Sequence, residues 1–165
     1  MDKVIVLKGR ADTGKSHILF ALIEKLLGIK GARILYNQNG VNNSFWTQKK
    51  DGVIILEITT KISEGIGRIR VGVITMGDPG CENEARICRL ICIDPQYDVD
   101  ALVVATRTKD IPSSIYAETL TFARTNNAEL IEMSPIVLTT YPVGRNDFLR
   151  NKVQDACAEA IKSII

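Results

Sequence analysis

Hydrophobic positions along the chain follow two periods in turn, one short and one helical. Residues 3 to 8 form a β-branched apolar run, and residues 15 to 27, KSHILFALIEKLL, carry apolar side chains at helical spacing up to Gly28, which is read as the helix stop. RILY at 33 to 36 is a short second strand. After it, NQNGVNNSFWTQKKDG has no period of its own and reads as a long loop. VIILEITT (53 to 60) and RIRVGVIT (68 to 75), separated by KISEGIG, predict an antiparallel hairpin. Gly77 to Gly80 stop its second strand, and a helix is expected from about 82 to 93. ALVVAT (101 to 106) is a strand of the fully buried kind, and SSIYAETLTFARTN opens a helix near Ser113 or Ser114. A last strand falls within 129 to 139 despite Pro135, and RNDFLRNKVQDACAEAIKSII closes as an amphipathic helix.

Strands alternating with helices of this length predict an α/β fold. The expected architecture is three layers, α/β/α, with a mostly parallel central sheet and one antiparallel hairpin strand. In open sheets of this kind ligands bind beyond the carboxyl ends of the strands. The loops after residues 8, 36, 76, 106 and 139 are therefore expected on one rim.

Composition changes this picture little. A chain of 165 residues with 45% apolar content suits one domain spanning 1 to 165. Lys plus Arg number 21 against 19 Asp plus Glu, so no strong field draws the molecule to nucleic acid or to an anionic membrane. No apolar run approaches the roughly 20 residues of a membrane-spanning helix. MDKVIVLKG lacks the pattern of a secretory signal, and a cytoplasmic protein is expected. The four cysteines, Cys81, Cys88, Cys92 and Cys157, contain no C-x-x-C pair and are read as reduced thiols. Cys88 and Cys92 lie four apart on a helix and are expected to serve as small buried side chains.

The chemistry concentrates at the first strand-to-helix junction. Gly9-Arg10-Ala11-Asp12-Thr13-Gly14-Lys15-Ser16 fits G-x-x-x-x-G-K-[ST], a phosphate-binding pattern. Gly9 frees the exit from the strand, and Gly14 lets the backbone come close to a phosphate. Successive N–H groups and the positive end of the following helix make an anion site. Lys15 supplies a mobile point charge for the outer phosphates, and the Ser16 hydroxyl is placed for Mg²⁺. The binding stretch is taken as Gly9 through His17, although the His17 ring itself is read as packing or solvent-facing rather than as a general base.

A second carboxylate for the metal is expected at the end of an apolar strand, and Asp78 in VGVITMGD fits, its competing reading being a turn residue before Pro79-Gly80. In ATRTKD, Arg107 and Lys109 would face the site, Arg107 stabilising charge on a transferring phosphoryl group; a solvated basic loop is the alternative. Asn37, Gln38, Asn39, Asn42 and Asn43 are candidates for binding an acceptor molecule. Phe45 and Trp46 could stack on a base or anchor their own loop.

With these residues the chain resembles the P-loop NTPase superfamily over nearly its whole length in element order, most specifically at 9 to 16. The resemblance implies binding of ATP, or another nucleoside triphosphate, with Mg²⁺. Small nucleoside and nucleotide kinases share such a core, but they carry an arginine-bearing lid where 110 to 128 holds only Arg124. GTPases follow with D-x-x-G and N-K-x-D, whereas Asp78-Pro79-Gly80 is one residue short and Thr108-Lys109-Asp110 lacks both the Asn and the spacer. VGVITMGDPG and VVATRT also look like small bacterial or phage ATP-binding proteins. The expected function is an ATP-dependent phosphotransferase or ATPase with Lys15, Asp78 and Arg107 as its catalytic residues. A nucleotide-dependent switch engaging a protein partner, and a binding module without turnover, are the alternatives. The implied partners are a nucleotide and an unidentified small molecule or protein.

Overall fold

Val4 to Leu7 and Val53 to Leu56 are continuous apolar runs because both faces of their strands are covered, and every one of these eight residues is buried. The computed structural model describes residues 1–9, 14–38, 44–62, 65–78, 80–107, 114–134 and 146–165, with backbone alone at 61, 62, 65, 66 and 146–150. Its elements in chain order are β1 (Lys3–Gly9), α1 (Lys15–Leu27), β2 (Arg33–Asn37), β3 (Val53–Ile62), β4 (Gly65–Ile74), α2 (Glu82–Cys92), β5 (Ala101–Arg107), α3 (Ile115–Thr125), β6 (Glu129–Met133) and α4 (Asn146–Ile164).

The strands form one mixed sheet in the order β2-β3-β4-β5-β1-β6. β4 pairs with β5, β5 with β1 and β1 with β6 in parallel, while β3 is antiparallel to both its neighbours. Five strands thus run one way and β3 alone runs back. The carboxyl ends of the five therefore share a rim with the amino end of β3, which places Asp51 and Gly52 beside Thr75 there.

Side-chain alternation divides the core into two layers. On one face Ile5, Leu7, Leu56, Val73 and Val103 pack against α1 and α4; on the other Val4, Val6, Ile55, Ile74 and Val104 pack against α2 and α3. The expected three-layer α/β/α arrangement with one reversed hairpin strand is what the chain adopts. From α1 alone, Ile18, Leu19, Leu22, Ile23 and Leu26 are buried. Each contributes about 1.5–3 kcal/mol of hydrophobic stabilisation. Lys25 of α1 reaches Asp155 at 2.9 Å and Glu159 at 3.3 Å on α4, tying the two helices along their exposed edge.

One expectation holds and one needs correction. Gly28 caps the end of α1, where the sequence put the helix stop; it does so with φ −71°, and the left-handed residue that follows is Gly31, φ 87°. The hairpin is longer than its apolar runs, because β3 extends to Ile62 and β4 begins at Gly65, so most of KISEGIG belongs to paired strand. Extended backbone can keep pairing past the point where covering helices demand apolar side chains. Among the described residues, no helix is long and apolar enough to cross a membrane.

Candidate functional site

The junction after β1 is shaped by Gly14. Its φ of 77° lies in the left-handed region, and a Cβ there would sit 2.5 Å from Gln154 Nε2 on α4. The Gly14 carbonyl accepts the Ile18 N–H at 3.0 Å, so α1 begins directly on Lys15. Free N–H groups of a first turn point out of the helix end and carry its positive pole. They face the sheet rim.

Lys15 is buried at 6% exposure, and its Nζ donates to the Gly9 carbonyl at 3.0 Å, folding the ammonium back across the bend. Gly9, Gly14, Lys15 and Ser16 are thereby brought together. Arg10, Ala11, Asp12 and Thr13, which complete the pattern, lie outside the described residues, as do Asn39, Asn42, Asn43 and Lys109. Ser16 Oγ donates to the Thr75 carbonyl at the end of β4, at a long 3.4 Å. His17 is exposed and meets Phe20 edge-on, with centroids 5.8 Å apart, in keeping with a packing role.

Asp78 follows β4, and Arg107 ends β5. Arg107 Nε and Nη2 both donate to Asp78 Oδ1, at 3.1 and 3.0 Å. The sequence placed these two residues on one rim; their direct pairing was not legible, because it depends on β5 lying next to β4. Thr106, the residue before Arg107, is wholly buried, and its Oγ1 finds no hydrogen-bond partner among the described residues.

Asp51 was missed by sequence reasoning and stands inside the constellation. Its carboxyl lies beside the Thr75 and Ser16 side chains and in the fields of Asp78 and His17. Burial raises its pKa most, the neighbouring Thr75 and Ser16 side chains pull it back, and the Asp78 charge adds a smaller upward push. Asp51 lies two residues before β3, and a strand's entry is not where a parallel-sheet site is sought. Only the reversal of β3 brings it to the rim.

Phe45 and Trp46 are core residues, 0% and 6% exposed, with their rings perpendicular at 5.3 Å. They anchor the loop before β3 under α1, the second of their two expected roles. Asn37 is buried at the end of β2 and Gln38 donates its N–H to the Val53 carbonyl at 3.1 Å.

Comparison with protein-family models, with curated proteins and with solved structures finds no match in any of the three. The chain is an α/β protein with a mixed six-stranded sheet.

The side-chain oxygens at the rim are hard donors, the Ser16 hydroxyl and the Asp51 and Asp78 carboxylates, while the buried Thr75 hydroxyl is taken up by the Gly52 backbone. Such donors suit Mg²⁺ rather than a thiophilic metal. The two most buried thiols stand elsewhere, on α2 against the far layer, where burial pushes Cys88 up to about 11 and Cys92 to about 12. Among the described residues, no group of three or more His, Cys, Asp or Glu side chains forms a metal-binding cluster.

Proposed function

We propose that the chain is a P-loop nucleoside-triphosphatase-type protein that binds Mg·ATP at Gly9 to Ser16 and uses it as a phosphotransferase or ATPase. One observation carries the reading: Gly9, a left-handed Gly14 and a buried Lys15 ammonium bonded to the Gly9 carbonyl stand at the strand-to-helix junction on the ligand-binding rim. A polyphosphate entering there meets the α1 N–H groups, and Lys15 exchanges a carbonyl for a phosphate oxygen. Mg²⁺, when bound with the nucleotide, supplies charge neutralisation of the outer phosphates.

Each residue then has a task. Ser16, through its hydroxyl, and Asp78, through its carboxylate, would hold the cation. Arg107, released from Asp78, turns its guanidinium to the terminal phosphate, where charge develops during transfer. Phosphoryl transfer needs little beyond positioning and such electrostatic support. The bond between the β-bridging oxygen and the γ-phosphorus breaks as the acceptor oxygen bonds to that phosphorus, and the acceptor's proton leaves to solvent or a nearby carboxylate.

The test is ADP formation with Mg·ATP across a panel of hydroxyl- and phosphate-bearing small molecules. A phosphotransferase forms ADP and a phosphorylated product in equal amounts with one compound class. ADP with inorganic phosphate alone assigns the ATPase form, and no ADP under any condition removes both.

A further inference from the structure

α2 carries part of its polarity the wrong way round. Arg89 is turned inward with 3% of its side chain exposed, while Ile87 and Leu90 stand outward and Ile93, just past the helix end, is exposed beside them. A helix whose one task was to cover the sheet would bury the apolar residues and expose the cation. The inversion costs stability twice, through desolvation of a guanidinium and through apolar surface left in water. Such breaks with local consistency collect where a surface has a task besides folding.

Beside this surface, the gap between α2 and α3 opens into a cavity of about 490 Å³. That volume lies within the about 300–1,000 Å³ of small-molecule pockets, which are mostly apolar with a few placed polar groups. Leu90, Ile93, Ala117 and Phe122 supply apolar walls here. The hydroxyls of Thr121 and Thr125 donate to carbonyls within α3, at 3.1 and 2.9 Å, and Asn126 Nδ2 donates to the Phe122 carbonyl at 2.8 Å. The guanidiniums of Arg86 and Arg89 are the strongest donors left on the lining. Arg89 is bonded to Glu118, the one carboxylate among the described lining residues, and the exposed Arg86 donates to the neutral Asn83 Oδ1 at 3.1 Å. Two cations against one anion give the lining a net positive charge, and Arg86 holds it at the mouth.

From this cavity we infer that the chain has a ligand site between α2 and α3, in the helix layer opposite α1, for a small apolar molecule bearing one anionic group. The apolar body covers Leu90, Ile93 and Phe122, which water meets in the empty cavity, and the anionic head bonds Arg86. A charge-assisted bond of that kind is about twice as strong as a neutral one. A neutral molecule with the same body forgoes it, and a cationic one is repelled by the two guanidiniums. The site stands independently of the nucleotide reading.

The experiment follows the fluorescence of anilinonaphthalene sulfonate, an aromatic body with one anionic group, and of N-phenylnaphthylamine, the same body without it, on the parent, Arg86→Glu and Leu90→Glu. Both positions are exposed, so both variants are expected to keep the parent's melting temperature. The parent is expected to bind the sulfonate one-to-one and more tightly than the neutral dye. Arg86→Glu should weaken the sulfonate about 10-fold or more while changing the neutral dye less than about 2-fold, and Leu90→Glu should weaken both. Decanoate and naphthoate, added as competitors, distinguish an acyl from an aromatic body, and at least one should displace the sulfonate. The inference is overturned if the parent prefers the neutral dye, if Arg86→Glu leaves sulfonate affinity unchanged, or if neither carboxylate competes. It is overturned as well if the dye-free parent sediments as a dimer that Leu90→Glu turns into a monomer, because a second copy of the chain then covers this face.

Discussion

Arg107 places both Nε and Nη2 on one oxygen of Asp78, joining the ends of β5 and β4 across the rim. The side chains are 35% and 60% exposed, so the pair is solvated and contributes about 0–1 kcal/mol to the fold. It can open at little cost. Arg107→Ala is expected to leave the melting temperature within about 2 °C of the parent and Mg·ADP binding intact, while lowering turnover about 100-fold or more. Equal losses of ADP affinity and of turnover would place Arg107 in ground-state binding instead.

Arg89 presents the opposite case. Its side chain is 3% exposed between α2 and α3, where it bonds Glu118 and reaches Thr119 Oγ1 at 3.4 Å. Burial lowers its pKa, and the Glu118 charge and hydrogen bond oppose that shift. Removing the partner strands a cation. Because Glu118 itself keeps some solvent contact, Glu118→Ala is expected to cost about 2 kcal/mol, below the 3–5 kcal/mol of a fully buried pair. Urea unfolding measures it, and Glu118→Gln should recover part of the loss.

Thr106 contains a cost that substitution can remove. Its buried Oγ1 has no partner among the described residues, and an unsatisfied buried hydroxyl is unfavourable by about 1–3 kcal/mol. Valine has nearly the same shape without the oxygen. Thr106→Val is expected to raise the melting temperature by about 2–4 °C. A fall of that size would mean the hydroxyl is satisfied in solution.

The α2 thiols give a pH-dependent outcome. Cys88 is held up to about 11 and Cys92 to about 12, both by burial. At alkaline pH the unfolded chain loses these protons first, so the native state holds more protons and stability falls as pH rises from about 9 toward these values. Cys92→Ala, less stable at pH 8, is expected to lose less stability between pH 9 and 11 than the parent. In native protein at pH 8, the partly exposed Cys81 and Cys157 should react with a thiol reagent well before Cys88 and Cys92 do.

Local pattern made most elements legible. Lys15–Leu27, Glu82–Cys92 and the Ser114 cap, whose Oγ accepts the Ala117 N–H at 3.2 Å, lie where apolar spacing and capping chemistry put them. Strand order was not legible, since it depends on how crossovers skip neighbours: α3 carries the chain from β5 past β1 to β6. Two site features followed from that order. The Arg107–Asp78 pair requires β5 beside β4, and Asp51 requires a strand that enters from the rim where the parallel strands end. Phe45 and Trp46 sit in an aperiodic stretch, where sequence alone could not separate an anchor from an exposed aromatic platform.

Lys15 is the point on which the nucleotide reading turns. Calorimetric titration of Mg·ATP into the parent and into Lys15→Ala measures its contribution directly. The account predicts saturable one-to-one binding by the parent and at least about 10-fold weaker binding by the variant, about 1.4 kcal/mol or more, with both chains equally folded. Absence of binding by the parent, or equal affinity in the two proteins, would contradict it.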